Sequence, residues 1–406
     1  MKLLYFTDSY PYGIGEEWKT NELKVLVKKF KNIHVIPRHY NRNLKPVNPI
    51  QGVIYHKPLC PSGINKNALK SIILILLSKH RTYYFREFFS NCFFNLNKIK
   101  QWIGSTNFII EVLKSSLINK LLFTSNEKTV AYFFWGRGTA KIIPLINNTN
   151  VSTIIRLHGY DLYLERYKTR YMPYHGSILE SCNKVLFISN HGLQYTQRLY
   201  PNLKHKFIYS PLGSSSCGNA IMSKDGVLRI VSCSSLIELK RVSLLAETLT
   251  KEFHFDIEWI HIGDGPLRNK LLEITESFPE NIRFTLTGWI DSNRIQEFYN
   301  CKSIDLFINV SNSEGVPVSI MESMSASVPV IATDVGGVSE IVDDSNGILI
   351  NPNLTPEILK DVICSYYNLD IYKKKSMRDS ARKTYEMYFN ASINAKKLSE
   401  ILLTNV

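Results

Sequence analysis

Short, nearly continuous apolar runs alternate with longer amphipathic stretches along most of the chain. Runs rich in Val, Ile, Leu and Phe predict strands at Leu3–Thr7, Ile33–Pro37, Val53–Lys57, Val130–Trp135, Thr153–Leu157, Val185–Ser189 and Phe207–Tyr209. Helical periodicity fills the gaps, as in Glu17–Lys29 and Leu69–Phe89. The alternation then stops at 211–225, PLGSSSCGNAIMSKD, which is rich in Ser and Gly and has little period. It restarts with predicted strands at Leu228–Cys233, Ile257–Ile262, Ile282–Thr287, Leu306–Val310, Val328–Ala332 and Gly347–Ile350. Helices are predicted between them at about Val242–Lys251, Pro266–Ser277, Ser292–Asn300 and Ser319–Ser325, and the tail from Leu354 is helical in pattern. Buried strands spaced by helices imply parallel sheets with right-handed crossovers.

A chain of 406 residues is long enough for two domains of about 200 residues each. The pattern places the first, Rossmann-like, at 1–212 and a linker at 213–226. A second Rossmann-like domain follows at 227–385, and a last helix at 386–406 is expected to pack back on the first. Nothing repeats by sequence, and no segment is of low complexity.

Composition narrows the function classes. The apolar fraction of 44% and charged fraction of 21% are ordinary for a globular enzyme. The longest apolar run, SIILILLS at 71–78, falls short of the roughly 18 residues a membrane span needs. The N-terminus opens directly as a strand, without a signal-peptide pattern. Seven scattered cysteines with no C-x-x-C suggest neither a zinc site nor a disulfide frame, and fit a cytoplasmic setting. The net charge of +14 is concentrated in part between Pro61 and Ser125, where nine Lys/Arg and two Glu are interleaved with aromatics such as Tyr83, Phe88, Phe94 and Trp102. Such a stretch suits anionic lipid headgroups, here the inner face of the plasma membrane, and equally a core-facing helix with a solvated basic side. Nucleic acid is disfavoured, because no binding motif accompanies the charge.

The sharpest chemical signal is SEGVPVSIMES, in which Glu314 and Glu322 stand eight residues apart. The apolar run DLFINV precedes it and a helical pattern follows. Both carboxylates therefore fall at the carboxyl edge of a buried strand and on the first turns of the next helix, where open α/β sheets bind ligands. Carboxylates accept hydroxyl hydrogen bonds, and the free amides of Gly315, Val316 and Val318 beside Pro317 favour phosphate. Sugar hydroxyls plus phosphate describe a sugar nucleotide. Four further features follow strands in the same half: the Lys240-Arg241 pair, the turn from His261 through Gly263 to Pro266, Thr287-Gly288-Trp289, and Asp334-Val335-Gly336-Gly337. Each alone is as compatible with ordinary turn chemistry as with ligand contact.

Taken together, VSCSSLIELKR, IHIGDGPLRNKL, FTLTGWI and DLFINVSNSEGVPVSIMESMSASVPVIATDVGGVSEIV resemble glycosyltransferase family 4, the retaining sugar-nucleotide enzymes of the GT-B fold. The resemblance implies two Rossmann-like domains facing a cleft, a UDP- or GDP-sugar donor, no metal or other cofactor, and a lipid-linked saccharide acceptor of a bacterial surface polysaccharide. It also implies that Glu322 binds the ribose, Glu314 lies against the donor sugar and Lys240 holds the diphosphate. The family often carries Gly-Arg-Leu ahead of that Lys. Here Ser234-Ser235-Leu236 stands instead, so the Arg is missing at Ser235, and Arg241 is the candidate to supply the charge.

In the first half, the loop from Asp8 to Glu17 carries Gly13 and Gly15 before a helix start, and resembles the family's first-strand glycine loop. Arg156-Leu157-His158-Gly159-Tyr160-Asp161 resembles its H-G-x-D element, which implies His158 near the transferring sugar. Trp135-Gly136-Arg137-Gly138 and Ser189-Asn190-His191 also end strands and are candidate acceptor contacts. An epimerase or phosphorylase on the same fold, or a non-catalytic binding protein that kept it, also fits these residues.

Overall fold

The computed structural model describes residues 1–12, 16, 19–39, 46, 48–60 and 68–404, with backbone only at 68, 69, 292 and 293. The chain divides into two compact units, Met1–Ser210 with Ala395–Val406, and Pro211–Asn394.

The first unit holds a seven-stranded sheet: β1 (Lys2–Thr7), β2 (Asn32–Pro37), β3 (Val53–Tyr55), β4 (Thr129–Phe133), β5 (Val151–Leu157), β6 (Lys184–Phe187) and β7 (Phe207–Tyr209). Its order is β3-β2-β1-β4-β5-β6-β7, and every pairing is parallel. The central strands β4 and β5 are buried along their whole length. Helices on both faces explain why they read as unbroken apolar runs. The long helix Leu96–Leu113 is N-capped by Asn95, whose side chain accepts from the amides of Asn97 and Lys98.

The second unit holds β8 (Leu228–Cys233), β9 (Ile257–Ile262), β10 (Ile282–Gly288), β11 (Leu306–Asn309), β12 (Val330–Thr333) and β13 (Gly347–Ile350), all parallel, in the order β10-β9-β8-β11-β12-β13. The edge strand β10 alternates buried and accessible positions, whereas β11 and β12 are wholly buried. Trp259 on β9 is fully buried and donates its indole N–H to Ser232 Oγ at 2.9 Å. Burying a side chain of that size contributes about 2–3 kcal/mol.

Two features differ from the pattern-based expectation. The stretch expected to form one helix over Leu69–Phe89 is two, Ala68–Leu77 and Arg81–Asn91. Ser78 breaks it: its Oγ accepts the His80 amide at 3.2 Å, and its carbonyl accepts Arg81 N–H at 3.1 Å. Serine competes with the helical ladder in this way. The stretch 211–225 is no free tether. Cys217 N–H donates to Ser325 Oγ, Ala220 N–H to the Ala326 carbonyl and Ser223 N–H to Asp305 Oδ1, which stitch it onto the second unit.

Candidate functional site

Both sheets reverse strand order once, between β1 and β4 and between β8 and β11. At such a switch point the loops after the two central strands diverge and leave a crevice at the carboxyl edge.

In the second unit, β8 runs into Ser234 and Ser235, a short helical turn Glu238–Lys240, and the helix Val242–Leu249. Neighbouring β11 runs into Glu314 and the helix Val318–Ser325. The switch therefore brings together residues 74 positions apart: Lys240 Nζ lies 2.5 Å from Glu314 Oε1. Glu314 is buried, and Asn309 Nδ2 stands 3.5 Å from the same oxygen. Gly315 is partly accessible and Val316 and Pro317 are buried; no side chain caps the start of the helix at Val318. Ser235 is exposed.

Two glycines make these loops possible. Gly336 has φ +61, and a Cβ there would sit 2.0 Å from the Glu314 carbonyl oxygen. The turn after β12 therefore packs directly against the Glu314 backbone, and Gly337 N–H donates to the Gly315 carbonyl at 2.8 Å. Gly263, at φ +145, does the same for the other loop, since a Cβ would meet the Ser234 carbonyl at 1.9 Å. His261 is a supporting residue. Its ring nitrogens lie 2.8 Å from Ser232 Oγ and 3.1 Å from the Ser234 carbonyl, and burial lowers its pKa to about 4, so it stays neutral.

Glu322 sits one helical turn in, on the side of Cys217, Cys233 and Tyr299, whose own pKa values burial and the Glu322 charge both push up. Among the described residues, no hydrogen bond or ion pair engages the Glu322 carboxyl. Burial alone raises its pKa from 4.5 to about 7. Glu322 is still partly accessible, so its carboxyl is an acceptor that a ligand can reach. Arg241 does not stand with Lys240 in this geometry. Its φ of +47 turns it away, and its Nε and Nη1 bond the carbonyls of Val310 and Pro352 at 2.7 and 2.8 Å. The Arg241 guanidinium ties the end of β11 to the loop after β13 through these carbonyls, with Nη2 left without a partner among the described residues.

In the first unit, His158 follows β5 and is buried, and neither ring nitrogen makes a hydrogen bond. Its ring packs against Phe134 and Trp135, with centroids 4.7 and 4.3 Å away. Burial lowers its pKa against the opposing pull of Asp161, so the imidazole is neutral. Asp161 fixes the backbone around it, accepting the His158 amide at 2.6 Å and the Gly136 amide at 2.7 Å. Gly15 lies outside the described residues; its neighbour in sequence, Glu16, is described and buried. Glu16 accepts from the amides of Ser9 and Tyr10, from Trp135 Nε1 and from the buried Lys19 ammonium. Burial pushes the Glu16 carboxyl up, yet Lys19 and these donors outweigh it and hold the pKa near 2. Sequence reasoning missed Glu16, Lys19 and Asp161 as supports. An acidic residue three positions before a lysine at a helix start was the available signal for the first pair.

Residues 228–368 match the family described as Glycosyl transferases group 1. The chain is 31% identical over 139 residues to the putative teichuronic acid biosynthesis glycosyltransferase TuaC of Bacillus subtilis, covering 34% of this chain and 33% of that protein. It is 31% identical over 166 residues to the O-antigen biosynthesis glycosyltransferase WbnH of Escherichia coli, covering 40% and 45%. These matches therefore span a third to under half of each relative's length. Among solved structures, sucrose-phosphate synthase from Thermosynechococcus elongatus superposes with a TM-score of 0.71 at 14% identity, covering 100% of this chain and 99% of that one, and so shares its fold. The two-sheet architecture is that of the GT-B glycosyltransferases. The segment similar to the Glycosyl transferases group 1 family, residues 228–368, includes the loop and helix that carry Glu314 and Glu322.

Proposed function

We propose that the chain transfers a hexose-type sugar from a UDP- or GDP-sugar to a saccharide or lipid-linked saccharide acceptor, in making a bacterial surface polysaccharide. The observation that carries this reading is the Lys240–Glu314 pair at the β8/β11 switch, with the unpartnered Glu322 carboxyl on the helix that follows. Glu322 accepts the two ribose hydroxyls, which supply the donors it lacks. Glu314 accepts hydroxyls of the donor sugar. Lys240 moves from Glu314 to the diphosphate, where the amides of Gly315, Val316 and Val318 add N–H groups at the uncapped helix start.

Departure of the diphosphate concentrates negative charge on its oxygens. A preorganised ammonium and helix-start amides stabilise that charge without reorganising. The reaction proceeds with retention and without a metal, the departing phosphate accepting the proton of the attacking hydroxyl, so neither Glu acts as a nucleophile. On the first unit, neutral His158 offers one donor and one acceptor to the sugar or its acceptor. The protein works at the inner face of the plasma membrane. The side chains of Leu77 and Phe94, 78% and 96% exposed, lie in the basic stretch and insert among anionic headgroups. Among the described residues no helix is long and apolar enough to cross a membrane.

Purified protein incubated with a panel of UDP- and GDP-sugars tests the assignment. Stabilisation by one sugar nucleotide, with acceptor-dependent release of free nucleotide, is the expected result. Phosphate-dependent turnover, or interconversion of the sugar without transfer, would replace it with a phosphorylase or an epimerase.

A further inference from the structure

The first sheet has its own switch point, between β1 and β4, and two arginines gather there, with a lysine on the segment that follows. Arg38 directly follows β2, Arg137 lies beyond β4, and Lys141 is in the helical segment Gly138–Leu145. One carboxylate, Asp8 just past β1, faces both arginines: Arg38 Nε is 3.0 Å from Oδ1 and Arg137 Nη2 is 3.0 Å from Oδ2. Among the described residues neither guanidinium has another hydrogen-bond partner, and Arg137 Nε is buried with none. Both arginines remain partly accessible, at 28% and 32%. Arg137 lies 4.3 Å from the Tyr160 ring centroid, a stacking contact that leaves in-plane N–H groups unspent. Lys141 donates to Ser105 Oγ at 2.8 Å, which neutralises nothing.

The other nearby acids are already engaged. Asp161 accepts two backbone amides, Glu87 accepts the Tyr171 hydroxyl and the Tyr174 amide, and Glu16 holds Lys19. Hydrogen bonding leaves these carboxylates charged, and Asp161 stabilises the Arg137 charge beside Asp8; what the two arginines lack among the described residues is acceptors, since Nε of each is buried and makes no hydrogen bond. Burial first, then Arg38 and Arg137, lowers the Lys141 pKa to about 7, so Lys141 is only partly charged near neutral pH.

We propose that Arg38 and Arg137 form an oxyanion site on the first unit that takes the phosphate or carboxylate of an anionic saccharide acceptor. Calling that ligand an acceptor rests on the transferase reading; the oxyanion site itself does not. Two guanidinium forks at a carboxyl-edge crevice match a planar carboxylate or a phosphate, whose oxygens supply acceptors for the unspent N–H groups.

Calorimetric titration of the full chain tests it. UDP is titrated first. Then, with UDP saturating, three probes follow: a saccharide carrying a diphosphate at its reducing end, an oligosaccharide ending in a uronate, and the matching neutral oligosaccharide. An anionic probe should bind at least about tenfold more tightly than the neutral one. R38Q and R137Q should each weaken it about ten- to a hundredfold, with Tm and UDP affinity unchanged. Whichever of the two anionic probes binds identifies the source of the charge. Equal binding of the neutral saccharide, failure of both anionic probes, or full affinity in R137Q overturns the site. Should R137Q fold poorly, R137K keeps the charge but loses the fork, and an intermediate loss at wild-type Tm is expected. Absence of UDP binding with anion binding intact would sink the transferase reading and leave the oxyanion site standing.

Discussion

Glu322→Gln separates stability from ligand binding at one side chain. The carboxyl titrates at about 7 in the folded chain and near 4.5 when unfolded. A raised folded-state pKa means that folding favours the protonated acid. The group costs nothing below pH 4.5, and its penalty grows as pH rises to 7. At 1.36 kcal/mol per pH unit the full cost is about 3 kcal/mol. Gln copies the protonated acid in shape and charge, so the variant should equal the wild type at pH 4.5. Above pH 7 it should exceed it by up to about 3 kcal/mol, or several degrees in Tm for a domain of this size. Sugar-nucleotide affinity should move the other way, about ten- to a hundredfold weaker at pH 8, because Gln lacks the charge and one acceptor for the ribose diol. Thermal melts from pH 4.5 to 8.5, paired with nucleotide titrations, read both quantities. A stability difference that does not change with pH, or a variant that binds sugar nucleotide as well as the wild type, would refute the reasoning.

The remaining expectations are simpler. Lys240→Ala should lower kcat about a hundredfold or more while changing KM little, because the ammonium acts on charge that develops during departure; steady-state kinetics with a pure KM effect would contradict this. His158→Phe should keep the ring packed against Phe134 and Trp135, leaving Tm unchanged or higher, while abolishing turnover. Gly336→Ala should lose at least about 1–2 kcal/mol and displace the Glu314 loop, seen as a lowered Tm with weakened donor binding, since its Cβ overlaps the Glu314 carbonyl. Leu77→Glu with Phe94→Glu should reduce flotation with phosphatidylserine or phosphatidylglycerol vesicles without affecting soluble-donor binding.

The strands were legible because burial on both faces leaves an unmistakable apolar run: β7, β8, β9 and β13 lie where the pattern put them, and the others differ by a few residues at their ends. The break at Ser78–His80 was not, since apolar and aromatic periodicity continues across it and only a serine side chain marks the turn. In the candidate site, the positions of Glu314, Glu322 and Lys240 after strands were legible, as distinct from their roles. The main-chain contacts of Arg241 were not, because adjacency in sequence says nothing of its left-handed φ. Arg38 and Asp8 were invisible as partners, because only strand order, not local pattern, juxtaposes the ends of β1 and β2.

The first unit is discontinuous in sequence, drawing on residues up to 210 and again from 395, where Leu398 and Leu402 are fully buried. On the ribosome its sheet can assemble early, but those leucines are synthesised only after the whole intervening unit. The N-terminal unit therefore finishes last, and a stalled or truncated nascent chain would expose an unfilled apolar surface to chaperones.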